Sequence, residues 1–247
     1  MAIVHLVTPI ITEGIRCLDD VKPLENFGIE IRHSILDNGP ASIECEYDEA
    51  LAVPDTIKKC IEAERAGADA IVIDCMGDPG VRPSREVVSI PVLGPMETSM
   101  HLAATLGSRM AVVTVVDGVV PMIENLARIY GVKERLAPIQ VIDLPVLEIE
   151  KDLERTKALL CEASQKAVEE DRADVIIFGC TGFLGCADAI REHLAKRDLS
   201  VPVLDPVPVT MMHAAAVANL GLSHSKRCYA PPRPKEIRGY MLSPVAS

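Results

Sequence analysis

The chain has 247 residues, 49% of them apolar, and a formal charge of −11. Such an acidic chain offers no basic stripe for nucleic acid, and with 3% aromatics and no Trp it has little with which to stack a nucleobase or a sugar. No apolar stretch approaches the roughly 20 residues that span a membrane, no basic leader precedes the first strand-like run, and eight scattered cysteines without export point to reduced thiols in the cytoplasm.

Short runs rich in β-branched residues alternate with longer amphipathic stretches, which is the pattern of βαβ units on a parallel sheet. In chain order the strands are predicted over 3–8, 29–36, 69–75 and 91–93, then 110–116, 139–144, 174–180 and 201–204. Helices fill the gaps, over 48–66, 81–88 and 97–107, then 119–131, 151–171, 184–196 and 208–220. Asp55, behind Pro54, is placed to cap part of the first helical region, and Pro121 suits the first turn of the fourth. Continuous runs such as Ala70 to Ile73 suit strands buried on both faces. The basic tail of Lys226, Arg227, Arg233, Lys235 and Arg238, set among Pro231, Pro232 and Pro234, reads as an irregular strap over the surface.

The two series of strands are copies of one another. Ala68-Asp69-Ala70-Ile71-Val72-Ile73-Asp74-Cys75 reappears as Ala173-Asp174-Val175-Ile176-Ile177-Phe178-Gly179-Cys180. Upstream, the strands ending at Thr8 and Thr114 precede these cysteines by the same distance to within one residue. Downstream, Pro91-Val92-Leu93-Gly94-Pro95 answers Pro202-Val203-Leu204-Asp205-Pro206, and Met100-His101 answers Met212-His213. Apolar runs alone would not keep Thr, Cys, Pro and His in one order, so the repeat predicts an α/β fold of two similar lobes. Each lobe is a four-stranded, mainly parallel sheet flanked by helices, and a pseudo-twofold axis relates the two. The helices after Pro95 and Pro206 end each copy and are expected to cross between lobes. That makes the first lobe discontinuous, 1–96 plus 208–247, around a second lobe of 97–207.

Ligands of such sheets bind at the carboxyl ends of the strands, where Thr8, Cys75, Thr114 and Cys180 are all predicted. A free thiol has a pKa near 8.5, and a place before a helix N-terminus lowers it. Both cysteines precede a glycine-rich turn, Cys75-Met76-Gly77-Asp78-Pro79-Gly80 and Cys180-Thr181-Gly182-Phe183-Leu184-Gly185, whose backbone amides could serve an anion or enolate. Two thiols related by the pseudo-twofold axis can face one carbon from opposite sides, which is the geometry of a racemase. Thr8 and Thr114 either donate hydrogen bonds to a substrate or simply end their strands. Asp78 either orients thiol or substrate, or belongs to an Asp-Pro-Gly turn. His101 and His213 read as helix-packing residues, and Ser42-Ile43-Glu44 as a loop over the cleft. Cys17, Cys45, Cys60, Cys161 and Cys228 have no repeat partner, Cys186 has no metal-ligand spacing, and no Lys lies at a strand end to anchor a Schiff-base cofactor.

Asp74-Cys75-Met76-Gly77-Asp78-Pro79-Gly80, Gly39-Pro40-Ala41-Ser42-Ile43-Glu44, Pro91-Val92-Leu93-Gly94 and Phe178-Gly179-Cys180-Thr181-Gly182 together resemble the aspartate/glutamate/hydantoin racemase superfamily, most nearly its hydantoin racemase branch. The resemblance, over about residues 2–222, implies two α/β lobes, a site between them and cofactor-independent, metal-free racemisation by Cys75 and Cys180. It also implies substrate contacts at Thr114, Thr181 and Gly182, and at Pro9 and Ile10, beside the Gly77 and Asp78 turn. One motif departs: where such racemases often carry Asn-Pro-Asn after the first strand, this chain reads Thr8-Pro9-Ile10-Ile11-Thr12. The function expected is inversion of the carbon acid of a hydantoin or related amino-acid derivative. The alternatives are a free amino-acid racemase, a maleate-type cis–trans isomerase, or a non-catalytic two-lobed binding protein. The partner implied is a small-molecule substrate, with neither nucleic acid nor membrane, and self-association is left open.

Overall fold

The computed structural model describes residues 1–240; the last residues of the expected first lobe, 241–247, lie outside the described residues. Eight strands form two separate four-stranded sheets. The first contains β1 (Ala2–Thr8), β2 (Ile29–Ile35), β3 (Ala70–Ile73) and β4 (Val92–Leu93), in the order β2-β1-β3-β4. The second contains β5 (Met110–Thr114), β6 (Gln140–Val141), β7 (Val175–Phe178) and β8 (Val203–Leu204), in the order β6-β5-β7-β8. Every pairing is parallel, so the two sheets share one strand order, as the repeated sequence requires. The repeated aspartates help to hold this register. Asp69 Oδ2 accepts the N–H of Ile3 at 2.8 Å, and Asp174 Oδ2 accepts those of Ser108 and Arg109 at 2.9 and 3.0 Å. Each therefore ties the start of a sheet's central strand to that of its neighbour.

Among the described residues seven α-helices accompany the strands, six between strands and the last after β8: α1 (Glu46–Arg65), α2 (Val81–Val87), α3 (Pro95–Leu106), α4 (Val120–Ile129), α5 (Leu153–Glu169), α6 (Ala187–Ala195) and α7 (Pro206–Asn219). Pro54 lies inside α1, and the carbonyl it deprives of a partner belongs to Ala50, on the exposed side. Asp55 caps nothing there; its carboxylate accepts the N–H groups of Asp37 and Asn38 at 2.6 and 3.1 Å, pinning the turn after β2 to the helix. Pro121 does occupy the first turn of α4.

The strand faces explain the packing. All of β3 is buried, with Ala70 and Val72 on one face and Ile71 and Ile73 on the other. Val4, Leu6, Ala70 and Val72 pack against Val207, Met211, Ala214 and Ala215 of α7, the helix that follows the second sheet. Conversely α3, which follows the first sheet, lies on β5 and β7. Burying one such aliphatic side chain stabilises the fold by roughly 1.5–3 kcal/mol, so these two exchanged helices are a large part of what binds the halves together.

After α7 the chain runs without regular structure across the β4 edge. The Val92 N–H donates to His224 Nε2 at 2.8 Å, Lys226 Nζ donates to the Arg85 carbonyl at 2.7 Å, and the Tyr229 ring lies under the Arg85 guanidinium at 5.3 Å. The basic segment is thus an irregular strap, as its composition suggests.

Candidate active site

β3 and β7 each end two residues before a cysteine. The Asp74 N–H donates to Val7 O at 2.8 Å, and the Gly179 N–H donates to Val113 O at 2.7 Å, carrying the strand pairing to that point. The chain then turns, and the turns match: the Gly77 N–H donates to Cys75 Sγ at 3.4 Å, and the Gly182 N–H donates to Cys180 Sγ at 3.4 Å. A Cβ on Gly182 would sit 3.3 Å from Ile149 and 3.4 Å from the Cys180 sulfur, so glycine lets this amide approach its thiol. Both thiols line one cavity of about 80 Å³ at the carboxyl ends of the two sheets. Its walls are mainly apolar, with Ile43 and Ile10 from the first half and Val119, Met122 and Val146 from the second.

The thiols are not helix-activated. α2 starts only at Val81 and α6 at Ala187, so neither sulfur stands at a helix's first turn. Burial instead pushes Cys180 up to about 12 and Cys75 well above its ordinary range, outweighing the single amide that each sulfur accepts. The charge of Cys180 itself raises Cys75 further, so the two cannot readily ionise together. The arrangement suits one thiolate facing one thiol.

Thr8, Pro9, Ile10, Gly77, Thr181 and Gly182 all border the cavity. The Thr8 hydroxyl donates to Asp74 Oδ2 at 2.8 Å and lies 2.9 Å from His33 Nε2. The Thr181 hydroxyl donates to the Asp74 carbonyl at 3.2 Å, joining the two cysteine turns. Two expected contacts are placed elsewhere. Thr114 is wholly buried, and its hydroxyl donates to Gly179 O at 3.2 Å; a Cβ on Gly179 would collide with it. Asp78, left-handed at φ 51°, is not among the residues that border the cavity, and its carboxylate lies at the start of α3. There it accepts the N–H groups of Met96 and Glu97 at 3.0 and 2.9 Å and the Tyr130 hydroxyl at 2.6 Å. Asp78 therefore caps α3 and braces the Cys75 turn, and Gly94 is glycine because a Cβ would run into that carboxylate. Thr114 and Asp78 position the thiol turns. His101 and His213 are exposed; the His101 ring lies 6.4 Å from that of Tyr130, at the end of α4.

The sequence matches the Asp/Glu/hydantoin racemase family over residues 29–214. The chain belongs to this family and is an isomerase. It is 40% identical over 202 residues to a hydantoin racemase from Pseudomonas sp. (strain NS671), covering 81% of this chain and 79% of that one. It is 33% identical over 240 residues to a hydantoin racemase from Rhizobium meliloti, covering 96% and 98% of the two chains. Among solved structures, an allantoin racemase from Klebsiella pneumoniae superposes with a TM-score of 0.87 at 27% identity, covering 97% of each chain.

Two features of this racemase-family site are not legible in the repeat. Arg16, from the irregular segment after β1, lines the cavity beside Asp74, with its Nε 3.2 Å from Asp74 Oδ2. Its guanidinium Nη2 also donates to Asp20 Oδ2 at 2.9 Å. Glu44, from the loop that carries Ile43, accepts the N–H of Val146 through Oε1 at 3.1 Å, and the same oxygen accepts from the Ser42 hydroxyl at 3.1 Å. This carboxylate latches a first-lobe loop onto the second lobe over the cavity. Arg16 lies in no periodic pattern and has no repeat partner, so only the folded chain reveals it. The latch was signalled by the Ser42-Ile43-Glu44 segment, though not its partner.

Proposed function

We propose that the enzyme inverts the C5 stereocentre of a 5-substituted hydantoin-type ring by two-base proton transfer, with Cys75 and Cys180 as the catalytic residues. The observation that carries this reading is the pair of thiols at matching ends of β3 and β7, both lining one cavity. One thiolate takes the C5 proton: the C–H bond breaks, an S–H bond forms, and the electron pair moves into the neighbouring ring carbonyl. The opposite thiol gives its proton to C5 from the other face, so the pair emerges with roles exchanged. No electron acceptor or cofactor enters this balance. The amides of Gly77 and Gly182 hold the sulfur that is anionic at each stage.

A hydantoin-type ring suits the site better than a free amino acid. Its C5–H is acidified by an adjacent carbonyl, and the ring is neutral. A carboxylate and an ammonium would both have to be desolvated in a mainly apolar cavity. The names of the relatives point the same way. We assign the lobes as 1–96 with the segment from 208 onward, and 97–207, since α7 covers the first sheet and α3 the second. A reducing, cytoplasmic location fits the eight free cysteines.

Purified protein given single enantiomers of 5-substituted hydantoins and allantoin should racemise at least one of them, and EDTA should not slow it. Cys75→Ser and Cys180→Ser should each lower racemisation at least about a thousandfold, since a serine hydroxyl is far too weak an acid. In deuterated water each variant should still exchange the C5 proton of one enantiomer. Full racemisation by either variant would overturn the two-base scheme.

A further inference from the structure

The Arg16 and Asp74 side chains are almost withdrawn from water, 4% and 1% exposed, yet both residues border the cavity. They form an ion pair with each other, Arg16 Nη2 donates to Asp20, and Asp74 Oδ2 accepts from Thr8. Atoms of each are left over: Arg16 Nε and Nη1 and Asp74 Oδ1, with Asp20 Oδ1 beside them, have no hydrogen-bond partner among the described residues. Buried polar groups are rarely left unpaired, because each forfeits its hydration with nothing in exchange. The guanidinium cannot deprotonate, so Nη1 remains a donor and Oδ1 an acceptor. Two residues that border the cavity thus hold unused donors on Arg16 and an unused acceptor on Asp74, on neighbouring, ion-paired side chains.

The charge balance says what fits. Arg16 is already matched by Asp74 and Asp20, and Asp205 is near enough to act on it as well. An incoming carboxylate would meet a cluster whose positive charge is spent, and a cation would meet the guanidinium. A neutral group that shows an N–H beside a C=O pairs with Asp74 Oδ1 and with an Arg16 donor at once. We propose that Arg16 and Asp74 form a donor–acceptor subsite that grips one H–N–C=O edge of the substrate, selecting neutral cyclic amides, imides and ureides over carboxylates. The inference deepens the two-thiol reading and rests on it. It gives the first lobe a polar grip beside Thr8-Pro9-Ile10. Because Asp74 is bonded directly to Cys75, the grip also sets the ring's orientation relative to that thiol.

The test is steady-state racemisation of a 5-alkylhydantoin and of the same ring methylated at each nitrogen in turn. These are assayed on the wild type, Arg16→Met and Arg16→Lys, with circular dichroism and thermal unfolding to establish the fold. Arg16→Lys keeps a cation beside Asp74 and Asp20, so it decides the matter if Arg16→Met does not fold. In the wild type one N-methylation should lower kcat/KM by about tenfold to a hundredfold, the loss expected when a buried partner goes unpaired. Both Arg16 variants should raise KM for the parent ring by a similar factor, with a smaller change in kcat. An unchanged KM in folded Arg16→Lys would overturn the subsite, as would equal use of the parent ring and both methylated rings by the wild type. A wild type that racemises aspartate or glutamate in preference to the neutral rings would overturn it too. If the wild type racemises none of the rings, the underlying reading fails and the subsite falls with it; racemisation that ignores N-methylation sinks the subsite alone.

Discussion

At the level of single residues, the site trades reactivity for environment. Both thiols are held above their ordinary range by burial, Cys180 to about 12. A raised acid is mostly protonated at neutral pH, so the thiolate fraction, and with it the rate, should climb as pH rises toward those values. kcat/KM, which reports the free enzyme, should still be increasing above about pH 10, where an ordinary thiol has largely finished titrating. A profile that is flat from about pH 7 upward would show that the thiols are not raised in solution. The cysteines themselves were legible, because repetition put two of them at one address. Their acidity was not, since the sequence shows a following helix but not the turn of several residues that keeps the thiol off its end. The roles of Thr114 and Asp78 escaped for a related reason. Position at a strand end says that a side chain is near the site, whereas only the folded chain says that Gly179 O, Met96 and Glu97 already claim it.

At the level of elements, Asp78 ties three of them together: the turn after β3, the start of α3, and Tyr130 just beyond α4. Replacing it with Ala strands two amides and a hydroxyl and should cost about 2 kcal/mol or more. Burial pushes its carboxyl up to about 7, against the pull of Tyr130 and the two amides. In the unfolded chain the same group ionises near pH 4. The folded state therefore keeps a proton that the unfolded state releases, and this contribution to stability is complete below about pH 4 and lost as pH rises through about 7. Asp78→Asn, which never ionises, should narrow the difference between urea midpoints at about pH 5 and about pH 8; an unchanged difference would place the effect elsewhere. Strand and helix positions were readable to within a few residues, since β-branched runs such as Ile71-Val72-Ile73 have few other uses. The short 3-10 turns were not, among them Lys22–Phe27 and Val146–Asp152. They carry no period, and they belong to the segments that bring Arg16 and Val146 to the cavity.

At the level of the whole molecule, the repeat made two lobes legible, and the structure adds how they are joined. Each sheet is covered by the helix that follows the other one, with α3 on β5 and β7 and α7 on β1 and β3. A ribosome makes the first sheet early, yet Val4, Leu6, Ala70 and Val72 wait for Val207, Met211, Ala214 and Ala215, which emerge some two hundred residues after β1. The second sheet receives α3 before its own strands are synthesised. The lobe begun first is therefore finished last, and it must pass through most of translation with one apolar face bare. Nascent chains arrested with their exposed end near residue 205 should protect the second sheet from protease and leave the first open to it, whereas chains carrying α7 clear of the exit tunnel should protect both. Equal protection of both sheets at the earlier arrest point would mean that the early-made strands find another cover while they wait.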